Sequence, residues 1–163
     1  GDTVEIGAPC GEFFLNHHDH HERPLVLLAA GIGITPIMSI LQTALDTMPD
    51  RKIVLVHACL NQEIQAFKTV IDNLDKIHSN LTIHYRYSDS DWQNNEQHEN
   101  TSTGFVDAAL IESFVPDRHA DYYFCGPKPF MINVYQDLLK WGIPASQVHF
   151  EFFGPREELE KAA

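Results

Sequence analysis

Apolar segments of two kinds alternate along this chain, and no other feature of the sequence narrows its fold as much. Residues 25–30, Leu-Val-Leu-Leu-Ala-Ala, form a continuous apolar run of strand length that Gly31 closes. Pro36 then opens a pattern in which Ile37, Ile40, Leu41, Ala44 and Leu45 recur at helical spacing, until Pro49-Asp50 breaks it. The two periods then repeat. Residues 53–58 read as a strand, followed by a helix striped with Ile64, Phe67, Ile71, Leu74 and Ile77. Residues 81–87 alternate as a strand with one wetter face, and the polar stretch 88–103 reads as a surface loop. A short helix over 105–114 precedes a strand at 122–125, which Gly126-Pro127 ends. Phe130, Val134, Leu138 and Leu139 line another helix, and residues 148–153 make a last strand. Parallel neighbours need crossovers, so five strands alternating with helices imply parallel pairing. The expected fold is a doubly wound α/β domain on a five-stranded parallel sheet, spanning residues 22–163.

Residues 1–21 stand outside that rhythm. Asp2-Thr3-Val4-Glu5-Ile6 alternates and Gly7-Ala8-Pro9-Cys10-Gly11 is a turn, as expected of the last strand and exit of a preceding β-domain, then a linker. Gly1-Asp2-Thr3 reads as a point inside a longer protein. The 163 residues suit one domain, and 44% apolar content rules out a disordered chain. With 23 acidic against 11 basic residues the net charge is −12, which repels nucleic acid and anionic membrane. The longest apolar run, residues 24–30, is too short to span a bilayer. Cys10, Cys59 and Cys125 are too widely spaced for a disulfide framework or zinc site, so a reducing, cytoplasmic setting is expected. His17, His18, His20 and His21 crowd a linker without a scaffold, so no metal site is expected there.

Chemistry in an open parallel sheet gathers outside the carboxyl ends of its strands. Three such ends are unusual here. The first strand runs into Ala30-Gly31-Ile32-Gly33-Ile34-Thr35-Pro36. Its glycines permit close backbone approach, and the following helix offers free N–H groups to an anion such as pyrophosphate. The third glycine of the usual dinucleotide fingerprint is absent, and a ligand-free tight turn explains the segment equally well. The strand at 122–125 ends in Cys125-Gly126-Pro127-Lys128-Pro129-Phe130-Met131, where Gly126 leaves room for a flat ligand. Alone, that stretch reads as a buried cysteine before a helix. The last strand closes with Glu151-Phe152-Phe153-Gly154-Pro155 on the same rim.

In this order and spacing the three stretches resemble the nicotinamide-binding half of the ferredoxin reductase-like flavoenzymes, and within them the flavohaemoglobins. The resemblance covers nearly the whole chain. It implies that Gly31 to Thr35 hold the pyrophosphate of NADH or NADPH, with Ala30 and Pro36 also at the cofactor, and that Cys125 and Gly126 flank the nicotinamide, with Pro127, Phe130 and Met131 beside them. Phe153 would lie against FAD, Phe152, Gly154 and Pro155 would touch it, and Glu151 would influence electron transfer to haem. FAD would be shared with a flavin domain whose last strand is the 1–21 segment, and haem would belong to a globin domain of the same polypeptide. Ala30 stands where glycine is common, and Cys59-Leu60-Asn61 lacks the small-Arg-Asn pattern at the second strand's end. Residues 57–65 hold no Arg or Lys and include Glu63, which favours NADH over NADPH. Two other readings stand beside this one. The reductase of another oxygenase remains open, although clustered cysteines for an iron–sulfur centre are absent. A non-catalytic receiver-like module would want acids at the first strand's end, where Ala29-Ala30-Gly31 offers none.

Overall fold

The computed structural model describes residues 1–8, 11–16, 22–89 and 100–152. Six strands form one parallel sheet: β1 (Leu25–Ala30), β2 (Ile53–Cys59), β3 (Leu81–Tyr87), β4 (Thr101–Thr103), β5 (Asp121–Cys125) and β6 (Val148–Glu151). Their order across the sheet is β4-β3-β2-β1-β5-β6. The chain therefore leaves β1 in one direction toward β2 and later returns to its other side as β5. That reversal puts a topological switch point between the carboxyl ends of β1 and β5. Leu25 pairs with both Ile53 and Asp121, and Ala29 with both His57 and Cys125, so the three central strands end together.

Helices cover both faces. Alternate residues of each strand point to opposite sides, and the two sets make separate cores. Leu25, Leu27, Ala29, Leu55 and Tyr123 pack under α1 (Ile34–Thr47) and against Ile71 of α2 (Lys68–Ile77). Val26, Leu28, Val54, Val56 and Phe124 pack under α3 (Ala108–Phe114) and α4 (Lys128–Lys140). No helix among the described residues is long and apolar enough to cross a membrane.

The structure departs from the sequence reading in four places. The sheet has six strands rather than five, because Thr101–Thr103 pairs with Tyr85–Tyr87 at the edge. A three-residue polar strand carries no hydrophobic period, which is how sheet edges are commonly kept short and wet. The α2 stripe was too long: Phe67 sits at φ 61° in the left-handed region and stops the helix from extending backward. Ile64 therefore falls outside the helix and is exposed; Ile77 is exposed at the helix's last residue, and of the stripe Ile71 is the fully buried one. The short helix starts at Ala108 rather than 105, since the Asp107 carboxylate accepts the Leu110 N–H at 2.8 Å and caps it there. Residues 2–6 form no strand; Val4 and Ile6 are exposed, and no neighbouring strand lies beside them among the described residues. Leu15, by contrast, is buried with the α1 core, and Phe13 meets Tyr123 at 5.9 Å between ring centroids. The histidines at 17–21 and the acidic stretch at 90–99 lie outside the described residues.

Candidate functional site

Two glycines in the turn after β1 do different work. Gly31 takes φ +52°, open to glycine and strained for other residues, with empty space where a Cβ would stand. Gly33 is buried, and a Cβ there would lie 2.0 Å from the carbonyl oxygen of Cys125 and 2.7 Å from the Gly126 nitrogen. The turn is thus pressed against the end of β5, closing the switch point from below. A 3-10 turn over Gly31–Gly33 leads into α1, and the Ile34 N–H donates to the Gly31 and Ile32 carbonyls. No side chain caps this start. The Thr35 hydroxyl instead donates to the Ile32 carbonyl at 3.0 Å, leaving exposed Ile32 at the tip. An uncapped helix start presents N–H groups and a partial positive charge, the chemistry that suits an anion. Ile34 itself is core.

Beside the turn opens a cavity of about 530 Å³, walled by Ala30, Ala58, Leu60, Phe105, Pro129 and Phe130. That volume and apolar lining are ordinary for a site that takes a flat organic group. Gly126 lies behind two of these walls: a Cβ there would meet the Phe130 ring at 2.7 Å and the Ala30 Cβ at 2.9 Å. The space saved at Gly126 is therefore filled by this chain's own Phe130 and Ala30. No lysine or arginine lines the cavity among the described residues. Lys68 is held by Asp72 at 2.7 Å and lies over the Tyr85 ring.

The other expected site residues divide by sheet face. The Cys125 thiol points away from the cavity into the α1 core and is fully buried. Burial, helped by the charge of neighbouring Glu151, raises it to about 11, so it stays a protonated thiol at neutral pH. The thiol therefore has no solvent path to a ligand; backbone and side chain of Cys125 are both covered, and Pro127 is the first exposed residue after β5. Met131 is likewise sealed in the α4-side core. Glu151 is half-buried opposite Cys125, while Phe152 packs on the cavity-side core. Phe153, Gly154 and Pro155 lie outside the described residues. Pro36 turns from the cavity toward a second crevice shared with Phe13, Phe14 and Leu15.

The far wall of the cavity was not read from the sequence. Phe105, exposed despite its size, follows the β4 edge strand. Arg86 of β3 holds that wall, donating to the Phe105 carbonyl at 3.1 Å and to the Ser102 hydroxyl at 2.7 Å. Gly104 at φ +116° lets the chain pass over its guanidinium. The Thr-Ser-Thr-Gly run at 101–104 was the available signal: β-prone residues stopped by a glycine.

One buried base lies behind the Gly31 turn. His57 is 1% exposed, and burial lowers its ring to about 4 against a small opposing effect of the Gly31 backbone. In the unfolded chain the ring takes a proton below its ordinary value of 6.5, whereas the folded ring resists until about 4. The neutral ring's contribution is thus complete above pH 6.5 and lost as pH falls to 4, a loss of about 3 kcal/mol at most. Urea unfolding of wild type and His57→Gln should show their stability difference shifting by about that amount between pH 7.5 and 4. A difference that stays constant with pH would contradict a buried neutral ring.

The profile described as the oxidoreductase NAD-binding domain matches residues 27–137, from within β1 to α4. The chain belongs to that family. This NAD-binding domain is 34% identical over 161 residues to the flavohemoprotein of Oceanobacillus iheyensis, covering 99% of this chain. To that of Halalkalibacterium halodurans it is 38% identical over 165 residues, covering 98%. The chain spans 38% of the length of these curated relatives. Among solved structures it is similar to the FAD/NAD-binding domain of the Vibrio cholerae nitric oxide dioxygenase, with TM-score 0.74 and 30% identity. That match covers 91% of this chain and 57% of the other. A cytochrome P450 reductase from Amycolatopsis, 23% identical with TM-score 0.76, covers 91% of this chain and 43% of its own, and shares the fold. The likeness carried by the three rim motifs is thus met in relatives that match nearly the whole chain.

Proposed function

We propose that this NAD-binding domain is the NADH-binding half of a flavohaemoglobin-type nitric oxide dioxygenase. The observation that carries the reading is the switch point itself. An uncapped helix start at residues 31–34 lies beside an apolar cavity that has no cation among its described lining residues. The pyrophosphate belongs on the exposed residues of the 31–35 turn, Gly31, Ile32 and Thr35, beneath which Gly33 and Ile34 are buried. Ala58, Leu60, Phe105 and Phe130 offer the apolar walls for the adenosine. The nicotinamide belongs at the end of β5, where the exposed Pro127 follows the buried Cys125 and Gly126 and the rim meets β6. Residues 1–21 read as the end of an FAD-binding domain, and residues 22–163 as the NAD-binding unit. Phe152, Phe153, Gly154 and Pro155 would meet one face of FAD, whose remaining contacts and the haem belong to other domains of the same cytoplasmic polypeptide.

When bound, NADH supplies a hydride that FAD accepts, and electrons pass on singly to haem for nitric oxide detoxification. This chain's residues perform positioning. The Gly33 contact with Cys125 fixes the turn relative to the nicotinamide platform, and Phe130 under Gly126 keeps that platform flat. The fully buried Cys125 thiol is support for the platform, not an acid or base. Glu151, at the end of β6, carries the one carboxylate of this rim motif and is placed to affect the route to haem.

No guanidinium or ammonium stands among the cavity's described lining residues, which favours NADH, because a 2′-phosphate needs such a partner. Rapid-mixing measurements on the complete protein should show its flavin reduced by NADH, with NADPH binding at least about tenfold more weakly. Flavin left oxidised by both nucleotides would overturn the function. Tighter binding of NADPH would overturn the assignment of the cavity walls.

A further inference from the structure

The turn that is to hold the pyrophosphate has a hidden support. His57 lies beside Ala29 in the β1–β2 register, two residues before Gly31, with its side chain on the α1 face. Its ring is fully buried, yet Nε2 has no hydrogen-bond partner. The other ring nitrogen is engaged. Tyr87 donates its hydroxyl to Gln65 Oε1, and Gln65 Nε2 approaches His57 Nδ1 at 3.4 Å, a long hydrogen bond. With Gln65 Oε1 taking the Tyr87 proton, the Gln65 amide nitrogen faces Nδ1; a donor there makes Nδ1 the acceptor, and this network assigns the neutral ring's proton to Nε2. A buried N–H without a partner costs free energy that a modest shift would recover. The turn that Gly31 opens packs against β2, the strand that carries His57, which brings the Gly31 backbone to this ring. The Gly31 carbonyl already accepts the Ile34 N–H and has a second lone pair to give.

We propose that His57 is a positioning residue for the dinucleotide: its Nε2–H draws the Gly31 carbonyl inward and so aims the Ile32 N–H outward at the pyrophosphate. The inference rests on the nucleotide reading above and deepens it. In a trans peptide the carbonyl and the following N–H point in opposite directions, so one hydrogen bond beneath the turn orients a donor above it. The ring acts as a neutral donor and gives the anion no charge of its own. Tyr87 and Gln65 hold the tautomer, as outer partners do for ligating histidines elsewhere.

The test uses the complete protein, with ADP-ribose and NAD+ as probes. In His57→Gln the amide reaches the place of Nε2, whereas in His57→Asn it reaches only that of Nδ1. Calorimetry should show ADP-ribose binding to the Gln variant within about threefold of wild type, and to the Asn variant about tenfold more weakly. Long-range nitrogen-15 spectra of wild type should place the ring proton on Nε2 at pH 7, and ADP-ribose should shift that resonance. Wild type that binds neither probe overturns the nucleotide reading and this inference with it. Wild type that binds while the Asn variant binds equally well overturns the inference alone. So does a ring proton on Nδ1, which is read without any variant and so decides the matter even if a substitution unfolds the domain.

Discussion

Gly33→Ala should cost this domain about 3 kcal/mol or more and remove its affinity for nucleotide, whereas Gly31→Ala two residues earlier should cost about 1 kcal/mol. The two glycines look alike in sequence and differ in what surrounds them. At Gly31 the space for a methyl group is free, and only the φ of +52° resists the change. At Gly33 the methyl carbon would sit 2.0 Å from a backbone oxygen of Cys125, and neither the turn nor β5 is a flexible side-chain tip that can swing away. The β1 turn must lift off β5, opening the switch point and displacing the helix start from the nicotinamide platform. Urea unfolding gives the stability and calorimetry with NAD+ gives the binding. A Gly33→Ala protein as stable as wild type would show that the contact is not part of the fold's solution.

The opposite rim carries the second large effect. Asp121 begins β5 fully buried and takes Arg23 at 2.8 Å on one carboxylate oxygen and Arg51, itself buried, on the other. Arg51 also donates to the Arg23 carbonyl at 2.9 Å, and its own carbonyl accepts from Asn80 at 2.9 Å. The network ties the amino ends of β1, β2, β3 and β5 to the chain entering the domain. Asp121→Ala strands a buried guanidinium without its partner, which costs about 3–5 kcal/mol. This site lies at the far end of the strands from the cavity, so nucleotide affinity of the folded fraction should remain that of wild type. Unfolding midpoints and NAD+ titrations on the same preparation check both halves. A stable Asp121→Ala protein, or a folded one that has lost NAD+, would contradict the division of labour between the two rims.

The central sheet was legible because β1, β2 and β5 are buried on both faces, and their continuous apolar runs say so without any partner being known. The helices under them follow from the same logic, with α1 and α4 carrying apolar stripes that meet separate cores. The reading failed where local pattern and tertiary contact part company. Ile64 and Phe67 continue a helical stripe in sequence, yet the left-handed turn at Phe67 starts the helix only after them, and Ile77 is exposed at its far end. β4 is polar and brief, so nothing in its own residues announces that Tyr85–Tyr87 will pair with it. At the site, the glycine turns were found because backbone chemistry is written in glycine. Their separate roles were not, since what Gly33 and Gly126 touch comes from other strands. Met131 and Cys125 stand in recognisable motifs, but strand and helix phase turn both side chains into the core. Arg86 and Phe105 escaped because the wall they build joins β3 to the segment after β4.

The central claim is that NAD+ binds at the carboxyl rim, on the turn after β1 and against the end of β5. Titrating the nitrogen-15-labelled protein with NAD+ and following each backbone amide tests it most directly. Shifts are expected to concentrate at the amides of residues 31–35, Gly126, Lys128 and Phe130, with smaller ones at Ala58, Leu60 and Phe105, and none at Arg51 or Asp121. Shifts centred on the crevice beside Phe14, or on the amino ends of the strands, would contradict it.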